Sequence, residues 1–331
     1  MREAGRSEDE RVAAVLAATF PFFALILIGF LAARGGLLPL AAVPGLNVFV
    51  LYFALTAMLY DFGARTPIAE FLDPVVLGVW LLAGLVVLTL GVLPARRAGH
   101  TWLDASFGGL IAIIPNSGFM GIPLLTSLFG DAAAGPIIAS LLVDIIVFQS
   151  LALTLAHRGQ SDRGVLPELL VAARRMASNP LPWAIALGCL AGWVDLDLPT
   201  PVQTTIEMLA QAASPAALFT IGAVLARAQM TPRPRTPGRG AGADIGWLSA
   251  LKLLAHPLAM WTVGTAAIAA GLGLAPVALA VLVLTAALPS AANISVLAER
   301  FGADNGRIAR VILVSTVLSF GTFTAAAGLL R

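Results

Sequence analysis

Apolar runs alternate with short polar breaks along almost the whole chain. Ten runs stand out, at 14–33, 44–61, 74–93, 105–128, 135–157, 178–195, 203–226, 247–271, 275–298 and 308–330. A membrane-crossing helix needs roughly 20 mainly apolar residues, so each run predicts one span. Two runs are broken in the middle. The fourth reads SFGGLIAIIPNSGFMGIPLLTSLFG, with Pro115-Asn116-Ser117-Gly118 at its centre. The ninth reads VALAVLVLTAALPSAANISVLAERFG, with Pro289-Ser290 at its centre and Asn293 just after. Each ends in Phe-Gly (Phe129-Gly130, Phe301-Gly302) before another apolar run. A proline inside a helix deletes one backbone hydrogen bond and clashes with the carbonyl four residues back. Broken backbone at membrane depth is tolerated only inside protein or along a cavity. Matched interruptions in two halves of a chain point to the substrate site of an inverted-repeat transporter.

The ten runs divide into five and five. Ala54-Leu55-Thr56-Ala57-Met58-Leu59-Tyr60 in run two matches Ala213-Ser214-Pro215-Ala216-Ala217-Leu218-Phe219 in run seven in size and polarity. An odd number of spans per copy forces the second copy to insert upside down. The expected organisation is a first five-helix repeat at 1–157, a cytoplasmic linker at 158–177 and a second, inverted repeat at 178–331. The linker carries Leu166, Leu169, Leu170 and Ala173 on one face, opposite Glu168 and Arg174. That pattern suits a helix lying on headgroups. The stretch 231–244, TPRPRTPGRGAGAD, reads as an extended, flexible loop with arginines near anionic lipid.

Composition agrees with the pattern. The chain is 59% hydrophobic and 11% charged, with a mean hydropathy of +0.91. Soluble proteins carry about 25% charged residues. This is an all-α membrane protein. The single cysteine, Cys189, allows neither a disulfide framework nor a thiolate metal site. The N-terminus holds three consecutive acids, Glu8-Asp9-Glu10, unlike the basic start of a signal peptide. Lys and Arg fall unevenly between the two faces: five on the side of the termini and fifteen on the other. The positive-inside rule then puts both termini in the periplasm of a bacterial inner membrane.

The candidate chemistry gathers at the two breaks. A helix that restarts after a proline has first amides without intrahelical partners, at the positive end of its dipole. Asn116 and Ser117 add polar side chains there, Gly118 leaves room for a ligand against the backbone, and Ser290 with Asn293 repeats the arrangement. Two such starts facing one cavity suit an anion, most simply a carboxylate. Asp144 is the clearest ionisable residue deep in a run, where a charge costs about 2.5–3.5 kcal/mol on insertion scales. It is either a proton- or cation-coupling carboxylate or an acid hydrogen-bonded to a neighbouring helix. Gln149 is a ligand donor or a helix–helix contact, about 140° round from Asp144 on an α-helix. Lys252 starts run eight, where snorkelling to the interface accounts for it. His256, one turn deeper, reads as a satisfied polar residue, and Glu207 with Gln211 as partners of other helices. No cage of acids for a metal, no cofactor motif and no nucleophile–base motif is present, and Ser117 or Ser290 with His256 makes a weak hydrolase. The reading is a transporter, not an enzyme, with bilayer and small organic anion as partners and no nucleic acid.

The segments IIPNSGFMGIPLL, SPAALFTIGAVLA, KLLAHPLAMW and ALPSAANISVLAERFG together resemble the auxin efflux carrier family, over essentially the full chain. The resemblance implies ten helices in two inverted repeats, crossing at Pro115 and Pro289, an architecture like that of bile-acid carriers and sodium–proton antiporters. It implies a scaffold from spans one, two, six and seven, through which two copies pair as a homodimer. The other six spans form a mobile unit working as an elevator. It places the family's substrate-contacting asparagine on Asn116 and a polar family position on Gln149. The implied cargo is a mono- or dicarboxylate, with H+ or Na+ as a coupling ion; the alternative is a sodium-coupled organic acid symporter of the bile-acid carrier type. Thr56 stands where the plant branch carries proline, and Asp144 is an acid where that branch is uncharged. The long central loop of many plant members is absent.

Overall fold

A computed structural model describes residues 8–66, 71–156, 158, 180–230 and 241–330. The linker expected at 158–177 lies almost wholly outside them, as does 231–240. Among the described residues there is no strand; two residues pair in one isolated bridge, and helices take nearly everything else. In chain order the helices are α1 (Glu8–Arg34), α2 (Val43–Phe49), α3 (Leu55–Arg65), α4 (Pro74–Arg97), α5 (Trp102–Ile113), α6 (Ile122–Phe129), α7 (Ala134–Val143), α8 (Gln149–Ala156), α9 (Pro180–Trp193), α10 (Thr200–Met230), α11 (Ala241–Ala250), α12 (His256–Ala269), α13 (Pro276–Ala287), α14 (Asn293–Phe301) and α15 (Asn305–Leu330). Wide π turns at Val50–Ala54, Ser117–Gly121, Asp144–Phe148 and Leu251–Ala255 join or begin several of them.

Among the described residues, six continuous helical stretches are long and apolar enough to cross a membrane: Leu40–Arg65, Pro74–Arg97, Ser117–Ala156, Thr200–Arg227, Gly242–Ala269 and Asn305–Leu330. Four shorter apolar helices accompany them, Phe20–Arg34, Trp102–Ile113, Pro180–Trp193 and Pro276–Ala287. Local chemistry sets their ends. Asp73 caps α4 by accepting from the amides of Val75 (2.8 Å) and Val76 (3.3 Å), with Pro74 in the first turn. Thr101 caps α5 through the Asp104 amide. The repeated Phe-Gly has a backbone reason: Gly130 and Gly302 take φ of 65° and 76°, a region that side chains disfavour. Each ends the second half of a broken span.

The helices pack as two groups. In one, α1 lies along α10, and α3 lies along α9 and α10. These contacts are backbone-close. A Cβ on Gly29 would come 1.9 Å from the Phe219 carbonyl oxygen, and one on Gly222 would come 1.9 Å from that of Ile26. In the same way Gly188 meets the Tyr60 oxygen at 2.1 Å and Gly63 meets that of Ile185 at 2.6 Å. Small residues let spans approach where lipid supplies no hydrophobic drive between helices. The second group gathers α4 to α8 and α11 to α15, with α4 against α5 and α12, and α12 against α13. The groups touch where α1 and α10 meet α15, and where α10 meets the turn at Ser117–Gly121.

Candidate functional site

The two broken spans meet at their breaks. Pro115 and Ser290 form an antiparallel bridge. The Asn116 amide donates to the Pro289 carbonyl at 2.9 Å, and the Ala291 amide donates to that of Ile114 at 3.0 Å. Each proline leaves a carbonyl four residues back without its helical donor. For Pro115 that carbonyl belongs to Ile111, and the Ser290 hydroxyl donates to it at 2.8 Å. The Ser290 amide turns to the Ser315 hydroxyl at 3.2 Å. The break at Pro115 is therefore mended by the other span, and the crossing is fixed by hydrogen bonds in a buried core.

The restart after Pro115 is the emptier of the two. Asn116 and Ser117 are 3% and 1% exposed. The Met120 and Gly121 amides are the first to bond back, both to the Asn116 carbonyl, so those of Ser117, Gly118 and Phe119 precede the first intrahelical bond. The buried Ser117 hydroxyl has no hydrogen-bond partner among the described residues. Gly118 is buried, yet a methyl group on its α-carbon would meet no atom within 4 Å. Space, free polar groups and the positive end of a helix coincide there. On the other side, Pro289 and Ser290 lie in the crossing with the Ser290 polar groups engaged, whereas Asn293 is exposed at the start of α14.

Asp144 and Gln149 flank one π turn. Its closing bond runs from the Gln149 amide to the Asp144 carbonyl. The wide turn carries Gln149 further round towards the Asp144 side than an α-helix would. Gln149 is half-buried and Asp144 is 2% exposed. The Trp80 indole donates to Asp144 Oδ1 at 2.8 Å, while Oδ2 is buried without a partner.

Lys252 and His256 differ from the sequence expectation. Lys252 does not snorkel; it is 0% exposed. Run eight was expected to begin at residue 247, but helix begins at Ala241. Lys252 therefore lies eleven residues in, about 16 Å along an α-helix at 1.5 Å per residue. Its ammonium donates to the Ala286 carbonyl at 2.8 Å and contacts His256 Nδ1 at 3.1 Å. Ala286 would bond the Ser290 amide in an unbroken helix, so Lys252 satisfies a carbonyl that the break set free. His256 is buried with Nε2 unpartnered, and its ring lies 5.3 Å from that of Trp80. No signal in the sequence gave the depth of Lys252, because helix length before it was hidden in a Gly/Ala-rich stretch.

A second polar hub sits at the start of α15. Arg307 clasps Asp244 through Nε (2.5 Å) and Nη2 (2.8 Å), and donates to the Asp104 carbonyl through Nη1 at 2.7 Å. Asp104 Oδ1 also accepts from the Asp304 amide. Asp244 was expected in a flexible loop; it stands in the first turn of α11. Glu207 contacts Arg65 of α3 and Gln203 of its own helix, as expected of a residue partnered across helices.

A family model described as "Membrane transport protein" matches residues 14–325. The chain belongs to this family. It is 31% identical to a "Putative malonate transporter" of Rhizobium meliloti, over 97% of both proteins. It is 27% identical to the "Uncharacterized transporter YfdV" of Escherichia coli, over 67% of this chain and 66% of that one. Auxin efflux carrier component 8 of Arabidopsis thaliana matches at 23% over 64% of this chain and 72% of its own. The motif resemblance to auxin efflux carriers therefore holds. Family and apolar helices together make this member of the membrane transport proteins an integral, multi-pass membrane protein.

Proposed function

We propose that the chain is a secondary active transporter that binds a small dicarboxylate of malonate size at the restart after Pro115. The observation that carries this is the buried open space at Gly118, beside the unpartnered Ser117 hydroxyl and the first helix amides. Such amides favour a carboxylate. The malonate in a relative's printed name supports the size and charge of the cargo.

The carrier crosses the bacterial inner membrane ten times as two inverted five-span repeats. A constant spacing supports the repeat. The α1–α10 and α3–α9 contacts are related by 159 positions throughout: Gly29 to Gly188, Gly63 to Gly222, Ile26 to Ile185 and Tyr60 to Phe219. The same step carries Ala54–Tyr60 onto Ala213–Phe219. Two sets of contacts built from the same positions are what duplication followed by inversion produces. The four-span group holding these contacts is the scaffold and the dimer contact. The other group carries the crossing and moves past it as an elevator, with Asp144 as the coupling carboxylate.

Asn116→Ala tests the site. Loss of one charge-assisted hydrogen bond is worth roughly 1.5–3 kcal/mol, so malonate affinity should fall about ten- to over a hundred-fold. Binding is followed by scintillation proximity and folding by thermal unfolding. Unchanged affinity in a folded variant rules Asn116 out as a ligand.

A further inference from the structure

Trp80, Asp144, Lys252 and His256 come from three spans and meet beside the broken helix α13, buried on every side. A lysine there needs an explanation beyond packing, because a buried ammonium must find both acceptors and countercharge. Its acceptors are the Ala286 carbonyl and His256 Nδ1. The one acid in the cluster is Asp144, held by the Trp80 indole, whose ring lies against that of His256. The other buried cation, Arg307, is already clasped by Asp244.

The position on α13 is the informative part. The C-terminal end of a half-helix presents free carbonyls and the negative end of a dipole. In discontinuous-helix carriers such ends, with unwound carbonyls, coordinate the coupling cation. Here the carbonyl freed by the break takes an ammonium. We propose that Lys252 is a tethered cation, filling from within the chain the place a coupling sodium ion would take, so that this carrier runs without sodium. The inference deepens the transporter reading above and rests on it for the word carrier.

The hydrogen atoms fit a proton-linked site. An ammonium only donates, so His256 Nδ1 accepts and a neutral imidazole carries its hydrogen on Nε2. Nε2 and Asp144 Oδ2 are the two side-chain atoms of the cluster without partners. Trp80 touches both residues. No group of three or more His, Cys, Asp or Glu able to hold a metal occurs among the described residues.

Deleting the ammonium should turn the place into a sodium site. Lys252→Gln removes the charge, frees the Ala286 carbonyl, and adds an amide oxygen beside the already unpartnered Asp144 Oδ2. Binding of radiolabelled sodium to the purified full chain is measured by scintillation proximity for the wild type, Lys252→Gln, Lys252→Met and Lys252→Gln with Asp144→Asn. Malonate counterflow into proteoliposomes is run beside it in sodium and in choline. The wild type should bind no sodium saturably and exchange malonate equally in both salts. Lys252→Gln should gain saturable sodium binding, by about tenfold or more in apparent affinity. Adding Asp144→Asn should remove the gain, and Lys252→Met should show less of it. Saturable sodium binding by the wild type overturns the proposal, as does a monodisperse Lys252→Gln without the gain. If Lys252→Gln does not fold, the wild-type arm decides alone: sodium binding overturns the proposal and its absence supports it. A wild type that exchanges no malonate overturns the transport reading, and the sodium arm still reads out the site.

Discussion

Gly118 illustrates how much one position can hold. No described residue fills the space beside its α-carbon, although the residue is buried. Gly118→Ala should occupy part of that space, lower malonate affinity at least about tenfold, and leave thermal unfolding close to wild type, since its methyl group displaces no described neighbour. A variant that binds normally would move the ligand elsewhere. Asp144→Asn probes coupling. The amide oxygen can still accept from Trp80, so packing is kept, but the side chain can no longer bind and release a proton. Proteoliposomes should then lose accumulation driven by a pH gradient yet retain counterflow. Accumulation under the gradient would make Asp144 structural. These residues were legible because Asn, Asp and Pro are conspicuous in apolar runs. Lys252 was not, because its meaning depends on how far the helix extends before it and on a carbonyl 34 residues away.

At the scale of elements, the first broken helix is completed by the second, and the second by Lys252. Ser290→Ala should leave the buried Ile111 carbonyl without its donor, costing about 1–3 kcal/mol and lowering the unfolding temperature. The corresponding loss should be absent in Asn293→Ala, whose side chain is exposed. An equal fall in both would show that the Ser290 bond holds nothing together. The breaks themselves could be read directly, since proline deletes a donor wherever it stands. The π turns could not: Val50–Ala54, Ser117–Gly121, Asp144–Phe148 and Leu251–Ala255 share no residue pattern. Three of the four nonetheless begin at or contain a buried polar side chain, Ser117, Asp144 or Lys252. An extra residue in a turn re-aims the side chains around it, as the turn at Asp144–Phe148 does for Gln149 relative to Asp144.

The whole molecule is read most securely through its charges and its two sets of glycine contacts. Among the described residues, apolar length alone gives six long helices and four short ones. The spacing of 159 between the glycine contacts, together with the two-group packing, supports an even number of spans in two copies, which puts both termini on one face. On the proposed orientation, fourteen of the twenty Lys and Arg lie on the cytoplasmic side and five on the other, with Lys252 buried between them. Arg163 and Arg235 belong to that set and lie in segments outside the described residues, so the test is chemical rather than geometric. The native Cys189 is buried, which keeps background labelling low. Arg163→Cys and Arg235→Cys should each resist an impermeant thiol reagent in intact cells and react once the membrane is opened. A cysteine placed near the N-terminus, as Arg6→Cys, should react from outside. Labelling of residues 163 and 235 in intact cells would invert the orientation. Labelling of one alone would break the equivalence of the halves, because segments following spans five and seven share a face only if the two spans between them both cross the membrane.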